Sequence, residues 1–262
     1  MAKHRRVWNQ ETHKQYLREG RGSGSGADYL PWIRIQDFAS QGIVSRVKGK
    51  TTGRVHHLMS RNELAYFYIL DWSDSIADIR EQYPLLDLDC ARHIAMQAGI
   101  KYPTDNVSGY PYVMTCDFMV ITYNGMKART VKMSCELSKP RVLEKLEIER
   151  RYWLTKGIDW KIVTENEIPY QKAKNIEWLY SAMDFVPDNI TKNAGQAALA
   201  AMTRMLSTTT ASVIDVVQDI ESEFMLEPGV GLQLFKHLVL NKVIEIDLSG
   251  KLNLSKGVSV AI

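Results

Sequence analysis

The chain has 262 residues, of which 45% are apolar and 24% charged, with 16 Gly and 8 Pro. At roughly 100–200 residues per domain this predicts one large domain or two, and it excludes a collagenous, coiled-coil or largely disordered chain. The formal charge is only +3, but it is uneven: residues 1–60 carry 11 Lys and Arg against 4 Asp and Glu, leaving 22 against 26 for residues 61–262.

A basic front interleaved with Trp8, Tyr16, Tyr29 and Trp32 suits contact with a phosphate backbone, and equally a solvated arm. The opening MAKHRRVW leads into no apolar stretch, and nothing approaches the ~18 apolar residues of a membrane span. A soluble, cytosolic protein is expected. Cys90, Cys116 and Cys135 are an odd set without CxxC spacing, which fits neither a disulfide framework nor a zinc ribbon.

Residues 1–60 read as loop-rich, with glycine clusters at 20–26 and 48–53. Gly49-Lys50-Thr51 resembles the end of a phosphate-binding P-loop, but Val44 stands where the motif requires Gly, and no strand leads in. A helix is predicted from Ser60, where Ser60 as N-cap and Glu63 at the third position form a capping box. Residues 76–81 and 83–86 read as extended, and 91–98 as amphipathic. Residues 113–123 and 126–133, joined by Asn124-Gly125, predict a hairpin with a type I′ turn. A helix follows from Ser138, with Pro140 in its first turn and Gly157 past its end, then a strand at 160–164. This order predicts an α/β core with a mixed sheet. Beyond Pro169 the pattern is helical at 172–183, 194–206, 212–225 and 230–241. A small hairpin is then predicted from 243–247 and 251–254, the plan of a winged helix. A boundary is placed at 168/169.

The predicted turn fixes a register in which facing residues satisfy i + j = 249, so Asp117 falls opposite Lys132 on the same face. Such a pair is either a solvated cross-strand salt bridge or part of a reactive site. On the following helix, Val142, Leu146 and Trp153 form the sheet-facing stripe, and Glu149 shares it, so it must be neutralised, paired or metal-bound. Glu63 has a sufficient explanation as a capping residue, yet its helix could also reach the hairpin. Carboxylates and a lysine on the edge of a mixed sheet are what a metal-dependent phosphodiesterase needs.

The segments REGRGSGSGADYLPW (18–32), TGRVHHLMSRNELAYF (52–67), DIREQYPLL (78–86), CDFMV and TVK (116–120 and 130–132), LEKLEIERRYW (143–153) and NIEWLY (175–180) resemble the TnsA family of transposon-end endonucleases. The resemblance covers about the first 180 residues. It implies a restriction-endonuclease-like mixed-sheet domain over residues 1–168, followed by a helical, winged-helix-like domain over 169–262. It implies a catalytic set of Glu63, Asp117 and Lys132, the two acids as ligands of Mg²⁺ with Mn²⁺ as substitute, and the lysine beside the attacking water. Family members often carry Gln or another polar acceptor where Thr130 stands, which makes Thr130 an additional candidate; Glu149, from its place on the helix stripe, is a second. The implied activity is hydrolysis of the non-transferred 5′ strand at each transposon end in the bacterial cytoplasm. The implied partners are transposon-end DNA, a TnsB-type transposase, a TnsC-type AAA+ regulator and, in some systems, an RNA-guided complex. A catalytically silent DNA-binding scaffold and a stand-alone restriction-type nuclease are the rival readings.

Arg54, His56, His57 and Arg80 are the candidates for DNA contact. Adjacent histidines on a strand point to opposite faces, which argues against a metal pair. In the terminal domain Lys236, His237 and Lys242 are offset by Glu245 and Asp247 on the expected wing, favouring protein contact over DNA.

Overall fold

The computed structural model describes residues 7–37, 43–189, 194–208 and 211–256. The chain divides into two compact units, Met1–Ile168 and Pro169–Ile262.

The first unit is built on a four-stranded sheet. Its strands are β3 (Ile76–Pro84), β4 (Thr115–Thr122), β5 (Gly125–Val131) and β6 (Asp159–Val163), in that spatial order. The first three are antiparallel neighbours, and β6 joins β5 in parallel. A parallel partner needs a crossover, which is α4 (Pro140–Thr155), with Pro140 in its first turn and Gly157 at φ +67° just beyond its end. Helix α3 (Leu88–Gln97) lies beside α4, and the two cover one sheet face through Ala91, Ile94, Met119, Ala128, Ile148 and Trp153. Helix α2 (Arg61–Trp72) meets Phe118 through Tyr66, edge to face at 5.8 Å.

The front of the chain is more ordered than its glycine content predicts. It holds α1 (Gln10–Arg18) and a separate hairpin of β1 (Ser45–Lys48) and β2 (Val55–Leu58). Asn9 caps α1 by accepting from Thr12 N–H, and Tyr16 packs with Trp8 and Trp32. The P-loop-like turn is an internal device: the N–H groups of Lys50 and Thr51 donate to the Asp71 carboxylate at 2.7 and 3.0 Å.

The central hairpin forms with a different turn. Tyr123 and Asn124 make the bend, and Thr122 pairs with Gly125, so facing residues sum to 247 and not 249. Neither turn residue has the positive φ that a type I′ turn requires; Gly125 carries it, at +118°. The Thr122 hydroxyl accepts from Asn124 N–H and donates to Gly125 C=O, fixing the bend one residue early. A shift of two in the sum keeps every side chain on its predicted face.

The second unit contains α5 (Tyr170–Tyr180), α6 (Ala194–Thr208), α7 (Val213–Glu223) and α8 (Val230–Leu240). The predicted terminal hairpin does not form a strand ladder among the described residues. Backbone carbonyls there have helical partners instead: Asn175 Nδ2 donates to Leu248 and Gly250, each at 2.7 Å, and Leu254 C=O accepts from Ile214 N–H. What the second unit presents is a four-helix unit with an extended tail. Among the described residues no helix is long and apolar enough to cross a membrane.

Candidate active site

Asp117 is fixed by backbone geometry before chemistry enters. Continuing the observed register places it level with Thr130, with Lys132 as its diagonal neighbour on the same face. Lysine spans that distance: Nζ lies 3.1 Å from Asp117 Oδ2 and 2.9 Å from Val131 C=O. The same Oδ2 accepts the Val131 N–H at 2.7 Å, so the carboxylate takes a donor that a sheet ladder would otherwise use. On the other side Gln82 Nε2 reaches Asp117 Oδ1 at 3.5 Å. Burial pulls the Lys132 pKa down, but Asp117 and Glu149 outweigh it, and the ammonium is held above its usual value.

Glu63 enters from α2. Half of the predicted capping box is present: Ser60 Oγ accepts from Glu63 N–H at 3.1 Å. The returning carboxylate takes the Ser60 hydroxyl and the Met59 N–H, each at 2.9 Å, in place of the Ser60 N–H. That bond one residue earlier draws Glu63 inward to 6% exposure. Burial first, then the charge of Asp117, push its pKa up to about 7. Glu63 and Asp117 both line a cavity of about 430 Å³. Glu63 also lines a second cavity of about 790 Å³ with Thr130, Lys132 and Glu149.

Glu149 is buried on α4, as its place on the apolar stripe requires. It accepts from the Thr130 hydroxyl and from Trp160 Nε1, the latter at 2.9 Å. Burial, reinforced by Asp117, raises its pKa to about 7 against these two donors. Thr130 therefore spends its proton on Glu149, and its oxygen faces Trp160 Nε1 at 3.3 Å.

Residues 73–165 match the family model for the TnsA-like endonuclease N terminus, and residues 167–248 match that for the TnsA endonuclease C terminus. The Transposon Tn7 transposition protein TnsA of Escherichia coli is 38% identical over 255 residues, which cover 95% of this chain and 90% of that protein. The chain belongs to the TnsA endonuclease family. The junction between the two TnsA matches falls beside the division between the two compact units.

The four expected DNA contacts all have partners within the protein. His56 is fully enclosed, its Nδ1 2.8 Å from Glu81 Oε2 and its Nε2 2.7 Å from Thr52 Oγ1. Arg54 pairs through both terminal nitrogens with the Glu81 carboxylate and also donates to Ile79 C=O. These partners outweigh burial and hold the Glu81 pKa at about 2. Arg54 and His56 thus tie the β1–β2 hairpin to β3, a structural task the sequence did not predict for them, because a buried carboxylate must be paired. His57 is half-buried, accepting from Ile35 N–H at 3.3 Å and donating its own N–H to Glu81. Arg80 is bound to Asp78 at 2.6 Å. Sequence reasoning missed Gln82 and Glu81; their signal was three consecutive polar residues, Arg80, Glu81 and Gln82, inside a strand.

Among the described residues, no three His, Cys, Asp or Glu side chains are grouped to hold a metal. The carboxylates around these two cavities include Glu63, Asp117 and Glu149.

Proposed function

We propose that this chain is the metal-dependent DNA endonuclease subunit of a heteromeric transposase, acting through a restriction-endonuclease-like first unit. The observation that carries the reading is the Asp117–Lys132 pair, with Glu63 lining one cavity with Asp117. Two carboxylates suit Mg²⁺ or Mn²⁺, hard ions that keep several water ligands and need few from protein. The donor set fits on electrostatic grounds as well, since burial and then the charge of Asp117 raise Glu63 to about 7, and a cation would offset both. Glu63 and Asp117 would hold the ion, which supplies polarisation of the phosphate and a more acidic bound water.

The rest follows from the chain's own groups. Glu63 must release its proton before it can act as a ligand. Lys132 directs two of its three protons at Asp117 and Val131 C=O, which leaves the third for the water or for the charge developing on phosphate. Thr130 orients Glu149, which stays a secondary candidate.

The site assigned to this subunit is the non-transferred 5′ strand at transposon ends, within a complex of end DNA, a TnsB-type transposase and a TnsC-type regulator in the bacterial cytoplasm. The protein from Escherichia coli that it resembles is named for transposition. The second unit, with Glu245 and Asp247 on its tail, is assigned to partner binding. The test is strand-specific cleavage of a labelled transposon-end duplex with transposase and regulator in Mg²⁺. Asp117→Ala and Lys132→Ala are expected to abolish 5′ nicking while 3′ cleavage survives. Persistent 5′ nicking in both refutes the assignment and favours the scaffold reading; nicking by the chain alone favours a stand-alone nuclease.

A further inference from the structure

We propose that Gln82 is a positioning residue for Asp117, an inference that rests on the nuclease reading above. Three non-glycine residues have positive φ among the described residues: Gln82 at +49°, Met225 at +50° and Lys242 at +54°. Met225 and Lys242 follow the caps of α7 and α8, where a left-handed residue is ordinary. Gln82 has no such excuse. It lies inside β3, between the pairs Glu81 with Phe118 and Tyr83 with Cys116, so the kink falls level with Asp117. Glycine would adopt this conformation without strain. A long polar side chain held there is explained by what the side chain does.

Both ends of its amide are engaged. A carboxylate only accepts, so Nε2 faces Asp117 Oδ1 at 3.5 Å, and Oε1 accepts from the Thr115 hydroxyl at 3.1 Å. The backbone carbonyl of Gln82 takes the Trp32 N–H at 3.3 Å, pinning the kink from outside the sheet. Asp117 Oδ2 is already held by Val131 N–H and Lys132. Gln82 therefore sets the plane of the carboxylate from the β3 side, and its long contact steers Oδ1 while leaving it able to accept a further, stronger partner. Gln82 lines the same cavity as Glu63 and Asp117.

The strained backbone makes the role separable from packing. In Gln82→Gly the kink persists and its strain is relieved, while the amide is lost; in Gln82→Met the length persists without hydrogen bonds. The variants are compared with wild type for thermal stability, for Mn²⁺ binding followed by electron paramagnetic resonance, and for 5′ nicking in the full complex. The expected result for Gln82→Gly is a melting temperature equal to or above wild type. Mn²⁺ affinity or kcat should fall about 10–100-fold, with KM for the DNA end unchanged. Gln82→Met should lose the same function, and serves alone if the glycine variant fails to fold. Wild-type Mn²⁺ binding and nicking in either folded variant overturns the proposal. Asp117→Ala is the control: if it too binds Mn²⁺ and nicks normally, the nuclease reading has failed; if it is dead while Gln82→Gly is normal, only the role of Gln82 has.

Discussion

Replacing Glu63 with glutamine should stabilise the metal-free protein above neutral pH while removing its activity. The folded carboxyl titrates at about 7, against 4.5 for an unperturbed glutamate, because it is buried beside Asp117. Between those values the folded protein retains a proton that the unfolded chain has released. The penalty is therefore absent below pH 4.5, grows with rising pH, and is complete above 7. Ionising such a group costs about 3 kcal/mol at most. Glutamine keeps a carbonyl for the Met59 N–H and offers an amide to Ser60, so about 1–3 kcal/mol of this is recovered, or about 2–10 °C in a domain of this size. The assay is thermal melting of metal-free wild type and Glu63→Gln from pH 4.5 to 8. The two curves should converge at the acid end and separate with pH, and Mg²⁺ should close the gap from the wild-type side only. Parallel curves across the range would refute both the crowded-carboxylate argument and the assignment of Glu63 as a ligand.

The buried network at the other end of β3 makes an opposite prediction. Arg54→Met leaves Glu81 enclosed without its main partner and should cost about 3–5 kcal/mol in urea unfolding; a loss below 1 kcal/mol would place the Glu81 charge in water. Since the folded Glu81 pKa is depressed to about 2, its contribution is present above pH 4.5 and lost as pH falls toward 2, so the variant and wild type should converge in acid. Gly125→Ala forces a side chain into φ +118° and should destabilise the hairpin by about 1–2 kcal/mol, measured by chemical denaturation; a neutral result would mean that Gly125 does not hold a positive φ in solution. Asn175→Ala removes two bonds to the tail, and amide hydrogen exchange at 248–254 should accelerate while α7 and α8 keep their protection.

What was legible in the sequence was whatever depends on local periodicity. Helix α4 announced itself by Pro140, Gly157 and its stripe, and the hairpin by two β-rich runs around Asn-Gly. The exact turn was not legible, because the choice between bending at 123–124 and at 124–125 was made by the Thr122 hydroxyl, a contact no propensity encodes. The Asp117–Lys132 proximity nevertheless survived the error. A register change of two leaves parity intact, and a lysine side chain is long enough to cross from a diagonal position. A register change of one would have put the two side chains on opposite faces of the sheet. The front of the chain was misread for the complementary reason. Glycine content says where a backbone is able to turn, but α1 is held by Asn9 and by Tyr16 against Trp8 and Trp32, and β1 and β2 by Glu81, a residue of a different sheet. Arg54 and His56 look like DNA ligands in sequence because nothing local reveals the acid they neutralise. The terminal hairpin likewise forms no strand ladder among the described residues, and the carbonyls of its expected turn, Leu248 and Gly250, are bound by Asn175, some 73 residues earlier in the chain. Polar residues whose partners are distant in sequence are where pattern reading ends. The site was readable only so far as its geometry is carried by one hairpin; Gln82, which reaches Asp117 across a strand pair and by a backbone conformation rare for its type, could be seen only in three dimensions.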